Sequence, residues 1–204
     1  MKRLPTVVLA ICLASAAGVL PAFAQQTTPE LAAALQRGGH VLIMRYGQVQ
    51  KVKQPSPLDL ADCASQHRLN DLGRDQARAL RAAFQTLNIA VAQVLNSEYC
   101  RAIEFARLAF GKAHASELLL HPSYVPVPGA SIPPPFEQRV TAVKKLLATP
   151  PAAGTNTVLI THGGVVRAAI GFETAFAEAV IFRPDGRGGT ALVARVLADG
   201  WEAK

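Results

Sequence analysis

Three short apolar runs, each passing into a polar, glycine-containing segment and then a helical pattern, constrain this chain more than any other feature. Val41-Leu42-Ile43-Met44 runs into Arg45-Tyr46-Gly47-Gln48, and Val91 to Leu95 leads to Ser97-Glu98-Tyr99-Cys100-Arg101-Ala102. Thr157 to Thr161 delivers His162-Gly163-Gly164. Runs this short, bounded by turn signals, read as strands buried on both faces. That is the signature of parallel strands covered by helices.

The segments between support this reading. Gln25 to Thr28 read as a lead, and Pro29 to Gln36 as a short helix stopped by Gly38-Gly39. Asn70 can cap a helix along which Leu72, Gln76, Leu80, Phe84 and Leu87 recur at helical spacing. Tyr99 to Phe110, ended by Gly111, is a further helix, and Phe136, Val140, Val143 and Leu147 mark another. A Gly-Gly turn and a helix through Ile170 follow the third strand, and Ala179 to Phe182 pairs with Ala191 to Leu197 around Asp185-Gly186 as a hairpin. Residues 48–68 form a long loop. Residues 121–135 hold six of the fourteen prolines and form a stiff surface loop of the kind that carries substrate contacts. The expectation is an α/β fold: one domain with a mixed, mostly parallel sheet flanked by helices on both faces. A length of 204 residues suits one such domain, and 50% hydrophobic content excludes a mainly disordered chain.

The N-terminus reads separately. Lys2 and Arg3 precede an apolar stretch from Val7 to Leu20, and Ala22-Phe23-Ala24 places small residues where a signal peptidase reads. The stretch is short for a bilayer span, which needs about 20 residues. Cys12 lies inside it after Ile11, which argues against a lipid-modified cysteine. Residues 1–24 are therefore expected to be a cleaved signal peptide, an uncleaved anchor being the alternative. Residues 25–204 form the domain, exported to the periplasm or secreted, with no stable membrane span after cleavage.

Removing Lys2 and Arg3 lowers the net charge from +7 to 19 basic against 14 acidic residues. That balance favours anionic ligands modestly. Dispersed basic residues and 6% aromatic content exclude a nucleic-acid surface, and Lys144-Lys145 reads as a solvated helix face. Cys63 and Cys100 remain in the exported chain, where they either form one disulfide or stay as two packed thiols. No zinc or calcium ligand spacing occurs and no cofactor is implied.

In α/β sheets, ligands collect at the carboxyl ends of strands, beside helix N-termini whose free amides favour anions. Arg45, Arg101 and His162 fall at three such ends. Guanidinium forks match two oxygens of a phosphate at once and stay charged, so phosphate or a small phosphorylated molecule is the fitting ligand. Each residue also has a plainer reading. Arg45 could merely end a strand at the surface, Arg101 could pair with Glu98 or Glu104, and His162 could be a satisfied turn residue.

The order of these segments resembles the histidine phosphatase superfamily, whose members look like phosphoglycerate mutase, over about residues 38–197. Val41 to Gly47 is similar to the strand entering that family's Arg-His-Gly signature. Leu69-Asn70-Asp71-Leu72-Gly73-Arg74-Asp75-Gln76-Ala77 resembles its Leu-Thr-x-x-Gly-x-x-Gln-Ala segment. Ser97 to Ala102 resembles its Ser-x-x-x-Arg-Ala segment, and Thr161-His162-Gly163-Gly164 its Ser/Thr-His-Gly segment. The resemblance implies a phosphoglycerate mutase-like fold, with Arg45, Arg101 and His162 as phosphate ligands and His162 also in the catalytic set. The family's nucleophilic histidine is replaced by Tyr46, a degenerate nucleophile position.

The replacement matters chemically. A phenol ionises near pH 10, and an aryl phosphate lacks the lability of phosphohistidine, so a covalent intermediate at Tyr46 would not turn over readily. Phe105 stands where the family often has threonine, and His67 where close variants carry arginine; His67, on the loop after the first motif, could reach the pocket as a substitute nucleophile. No general acid is identifiable: Glu117 and Glu137 bracket the proline-rich loop and read as solvated charges. His40, His114 and His121 read as surface or loop residues. Three functions follow: a catalytically impaired phosphate-binding protein, an active phosphomonoesterase with a non-standard nucleophile, and a scaffold with a vestigial pocket. Phosphate protection in a thermal melt separates binding from scaffold.

Overall fold

A computed structural model describes residues 24–25 and 27–201. The leader expected at residues 1–24 lies outside the described residues except for Ala24. In chain order the elements are β1 (Ala24–Gln25), α1 (Pro29–Arg37), β2 (Val41–Arg45), β3 (Val49–Gln50), β4 (Arg68–Leu69), α2 (Asp71–Thr86) and β5 (Val91–Asn96). They continue with α3 (Cys100–Phe110), β6 (His114–Ala115), α4 (Phe136–Leu147), β7 (Asn156–Thr161), α5 (Gly163–Ile170), β8 (Ala179–Pro184) and β9 (Thr190–Val196).

The sheet order is β1-β9-β8-β2-β7-β5-β6, parallel except where β8 meets β2 and β9. Buried β2 and β7 are central, which is why their sequences are apolar without alternation. Side chains still alternate between the two layers. Leu42 and Met44 of β2 join Leu31 and Leu35 of α1, Leu80 and Phe84 of α2, and Phe105 of α3 on one face. Val41 and Ile43 join Val143 and Leu147 of α4 and Val165 and Val166 of α5 on the other. The expected mixed, mostly parallel sheet covered on both faces is the observed one.

Local details refine the sequence reading. Asn70 caps α2 through its side chain, accepting from the Gly73 amide at 2.9 Å. The buried stripe of α2 is Gly73, Ala77, Leu80, Ala83 and Phe84, and Leu72, which shares the apolar spacing, is 56% exposed. The lead before α1 is partly structured: Ala24–Gln25 pairs with β9, and Thr28 caps α1 by accepting from the Leu31 amide. Gly163-Gly164 is not a turn after β7 but the first turn of α5, capped at His162. The loop over 48–68 contains the β3–β4 pair and a single 3-10 turn at Cys63–Ser65. No helix among the described residues is long and apolar enough to cross a membrane.

The Leu69–Ala77 segment has a mechanical role. The backbones of Gly47 and Gly73 lie so close that a methyl on Gly73 would overlap the Gln48 carbonyl. The Gln76 side chain accepts from the Gln48 amide at 2.9 Å, and the Asn70 amide donates to the Gln48 carbonyl at 3.1 Å. The start of α2 is thus a mount for the chain leaving β2, which carries Arg45 and Tyr46.

Candidate functional site

Register brings the three strand ends together. Arg45 pairs with Thr161, so Arg45 and His162 emerge from neighbouring strands, and the Ser97 amide bonds the Ile160 carbonyl at 2.9 Å on the other side of β7. Arg45, Tyr46, Arg101 and His162 therefore converge at one end of the sheet, with Tyr46 6%, Arg101 3% and His162 1% exposed.

Aromatic rings immobilise both guanidinium groups. Arg45 lies 3.6 Å from the Phe176 ring centroid, donates to the Thr174 carbonyl at 3.4 Å, and packs against Gly163 in the first turn of α5. Arg101 lies against Tyr99 at 4.3 Å and Tyr46 at 4.8 Å. Covering the π faces leaves the in-plane N–H edges as the directions in which a ligand can bind. One Arg101 nitrogen donates to the Gln54 side-chain oxygen at 3.4 Å and another to His162 Nδ1 at 3.2 Å. The Nε atoms of Arg45 and Arg101 are both buried without a hydrogen-bond partner. Neither arginine has a carboxylate partner among the described residues: Glu104 pairs with Arg74 instead, and Glu98 with no arginine.

The donor set fixes the state of His162. A guanidinium can only donate, so Nδ1 accepts, and the ring proton sits on Nε2, 2.8 Å from the Ser97 hydroxyl. Burial, then the positive field of Arg101, His121, Arg45 and Arg139, holds its pKa well below the ordinary imidazole value, in keeping with a neutral ring. Both nitrogens of His162 are thereby engaged within the protein. His162 thus bridges Ser97 and Arg101.

Tyr46 presents its ring edge-on to His162 at 5.3 Å and lies 6.2 Å from Phe176. Its amide bonds the Thr161 carbonyl at 3.4 Å, and its own carbonyl accepts from the Ala177 amide at 3.1 Å. The hydroxyl makes no hydrogen bond to any described residue. Tyr99, the second phenol, is pushed up to about 12, chiefly by burial.

The loop histidines differ in what they touch. His121 lies in the loop, as expected, but is half-buried, with its ring 5.2 Å from that of His162 and 6.5 Å from that of Tyr99. The residues before it are tied down where the Thr161 hydroxyl donates to the Leu119 carbonyl at 2.7 Å and Arg139 to the Leu120 carbonyl at 2.6 Å. His40, by contrast, is buried at 6% exposure and lies just before β2, far from the site in the strand direction. His114 is exposed on the edge strand β6.

His67 lies at the rim. Its amide donates to the same Gln54 oxygen that accepts from Arg101, and its Nδ1 accepts from the Val52 amide at 3.0 Å. Burial, Arg101 and Lys51 lower its pKa. Phe105 is fully buried core. Glu117 and Glu137 are exposed; Glu117 sits with Asp59 and Glu98 around a separate cavity of about 670 Å³, where burial and Glu117 raise the pKa of Glu98. No cluster of three or more His, Cys, Asp or Glu fit to hold a metal occurs among the described residues.

The structure joins Cys63 and Cys100 in a disulfide, with Cα atoms 5.7 Å apart. Gln66, fully buried beside it, accepts from the Cys100 amide at 3.0 Å and donates to the Leu60 carbonyl at 3.0 Å. The link therefore fastens the 48–68 loop to the residue preceding Arg101. Gln54, Ser97, Tyr99 and Phe176 complete the site. Ser97 and Tyr99 fall within the motif-bearing segment, whereas Gln54 and Phe176 sit in stretches with no sequence signal.

No family model and no curated protein matches the chain. Solved structures do. The protein histidine phosphatase SixA complexed with tungstate aligns over 80% of this chain and 99% of its own, with a TM-score of 0.52 and 14% identity. The alpha-ribazole phosphatase from Shigella flexneri aligns over 78% and 96%, with a TM-score of 0.55 and 16% identity. At such identities the likeness is one of fold, and that fold is phosphoglycerate mutase-like, as the sequence motifs imply.

Proposed function

We propose that this protein is an exported member of the histidine phosphatase superfamily that binds phosphate or a small phosphorylated molecule, with phosphoester turnover impaired by Tyr46. The observation that carries the reading is the pair of unpaired Nε donors on Arg45 and Arg101, in guanidinium groups with no carboxylate partner. A buried cation left without a counter-charge costs several kcal/mol, and a bound oxyanion removes that cost while accepting the orphaned donors. Nearby groups contribute donors and no carboxylate, which suits an anion.

Turnover by the covalent route needs a group at position 46 that both attacks phosphorus and then leaves it. The tyrosyl oxygen leaves phosphorus less readily than an imidazole nitrogen does, and the neutral His162 is braced at both nitrogens. Tyr46 fits a binding role better, since its hydroxyl can donate to a phosphate oxygen. Export rests on Lys2, Arg3, the apolar stretch and the Ala24 cleavage site, and places the protein in the periplasm or outside the cell.

The test is phosphate release from a panel of phosphomonoesters by the purified protein, beside Tyr46→His and Arg45→Ala, with thermal melts in inorganic phosphate. The reading expects a silent parent whose melting temperature rises with phosphate, turnover in Tyr46→His, and loss of the phosphate shift in Arg45→Ala. Turnover by the parent that disappears in Arg45→Ala establishes an active phosphomonoesterase instead. A parent that neither turns over nor responds to millimolar phosphate is a scaffold.

A further inference from the structure

We propose that His121 is the imidazole ligand of the bound phosphate, donating from a neutral Nε2–H to a phosphoryl oxygen, while His162 remains the internal brace. The inference rests on reading the pocket as a phosphate site. It goes beyond that reading by moving a ligand role away from the motif histidine to a loop residue outside every motif.

The geometry distinguishes the two rings by what each nitrogen already does. His162 has Nδ1 on Arg101 and Nε2 on Ser97, so an anion could engage it only by displacing one of those partners. His121 has Nδ1 accepting from the Ser123 amide at 3.1 Å, and that bond sets its tautomer. An amide N–H can only donate, so the ring proton must lie on Nε2, which makes no hydrogen bond to any described residue.

His121 is also held as a site residue is held, by contacts on its main chain that its own side chain does not make. The Thr161 hydroxyl grips the Leu119 carbonyl, and Arg139 grips the Leu120 carbonyl. Pro122 rests on Gly164 in the first turn of α5, where a methyl group would stand 2.9 Å from its ring, and the Tyr124 amide bonds the His121 carbonyl at 3.1 Å. The charged and titratable groups that bear on the ring are Arg101, Arg139, His67, His162 and Tyr99. Burial, then the positive field of Arg101, Arg139 and His67, lowers its pKa, consistent with an uncharged donor.

The test is histidine-selective ¹⁵N NMR of the purified protein titrated with inorganic phosphate, beside His121→Phe and His121→Gln. Phosphate is expected to move the His121 Nε2 resonance while His162 Nε2 keeps its Ser97-bonded position. His121→Phe, which keeps an aromatic ring and removes the donor, should weaken phosphate binding roughly 10- to 100-fold, the range for a hydrogen bond to a charged group. His121→Gln, which restores an N–H, should recover part of it. Melting temperatures without phosphate report whether each variant is folded.

Parent affinity in a folded His121→Phe variant, or a phosphate shift at His162 Nε2 with none at His121, overturns the assignment and leaves the pocket reading standing. A parent that binds no phosphate overturns the pocket reading and this assignment with it.

Discussion

Arg101 and Arg139 are equally buried, each 3% exposed, and the positive fields of both reach Tyr99. Their donors are used differently. Arg139 gives its Nε to the Pro134 carbonyl at 3.0 Å and a terminal nitrogen to the Leu120 carbonyl at 2.6 Å, pinning both ends of the proline-rich loop to α4. Arg101 meets only side chains, Gln54 and His162, and keeps Nε unpaired. Burial alone therefore does not mark a binding residue. What separates the two is whether folding uses up the donors or leaves one without an acceptor.

The largest effect expected from testing this contrast concerns how Arg101 is mounted. Replacing Cys63 and Cys100 with serine opens a link across 37 residues of chain, worth about 4 kcal/mol in chain-entropy terms. Denaturant unfolding should register it, together with weaker phosphate binding as the 48–68 loop loosens. Undiminished stability would show that the Gln66 hydrogen bonds suffice without the disulfide.

Next is Arg139→Met, which orphans the buried Leu120 carbonyl and the half-buried Pro134 carbonyl and should cost about 3 kcal/mol with or without phosphate. Arg101→Met should behave in the opposite sense. It removes a buried charge without a counter-charge, so stability in phosphate-free buffer should change by no more than about 1 kcal/mol, while the phosphate-dependent rise in melting temperature disappears. If Arg101→Met destabilises the apo-protein as much as Arg139→Met, the distinction between the two arginines fails.

The smallest effect is the pH response. His40, His67, His121 and His162 all hold protons less readily in the folded chain than at the ordinary value of 6.5, burial being the first cause in each. The unfolded chain therefore binds more protons below about pH 6.5, so stability is full above that value and falls as the pH drops beneath it. Urea melts from pH 7.5 to 5 should show the decline. It should be shallower in Arg101→Met, because Arg101 is the leading charge acting on His67, His121 and His162. An unchanged profile would separate these histidines from Arg101.

The contrast also marks what was legible in the sequence. The central strands β2 and β7 are buried on both faces and stand out, β5 stands out by its Val94-Leu95 end although Ala92 and Gln93 are exposed, and the positions immediately after them could be read as a site. Asn70, Gly73 and Gln76 were recognisable as a motif, although their job of holding Gly47 and Gln48 appears only when α2 is packed against the chain leaving β2. His121 was illegible because Thr161, Arg139 and Gly164, which meet the residues on either side of it, come from three other elements and none lies at a helical or strand spacing from it. Leu72 misled in the other direction: its spacing matched the apolar stripe, yet it lies one position from the buried line through Gly73 and Ala77. Arg101 stood out by its motif, whereas the use of Arg139 to hold the Leu120 and Pro134 carbonyls was invisible, since donor use is decided by which carbonyls the fold brings near.

The bracket formed by Gly47, Gly73 and Gln76 has a consequence for the occupant of position 46. The main chain at position 46 is clamped by Thr161, Ala177 and this bracket, none of which depends on which side chain position 46 carries. Position 46 is a socket and not a keystone. Another side chain, histidine included, could occupy it without dismantling the frame around it.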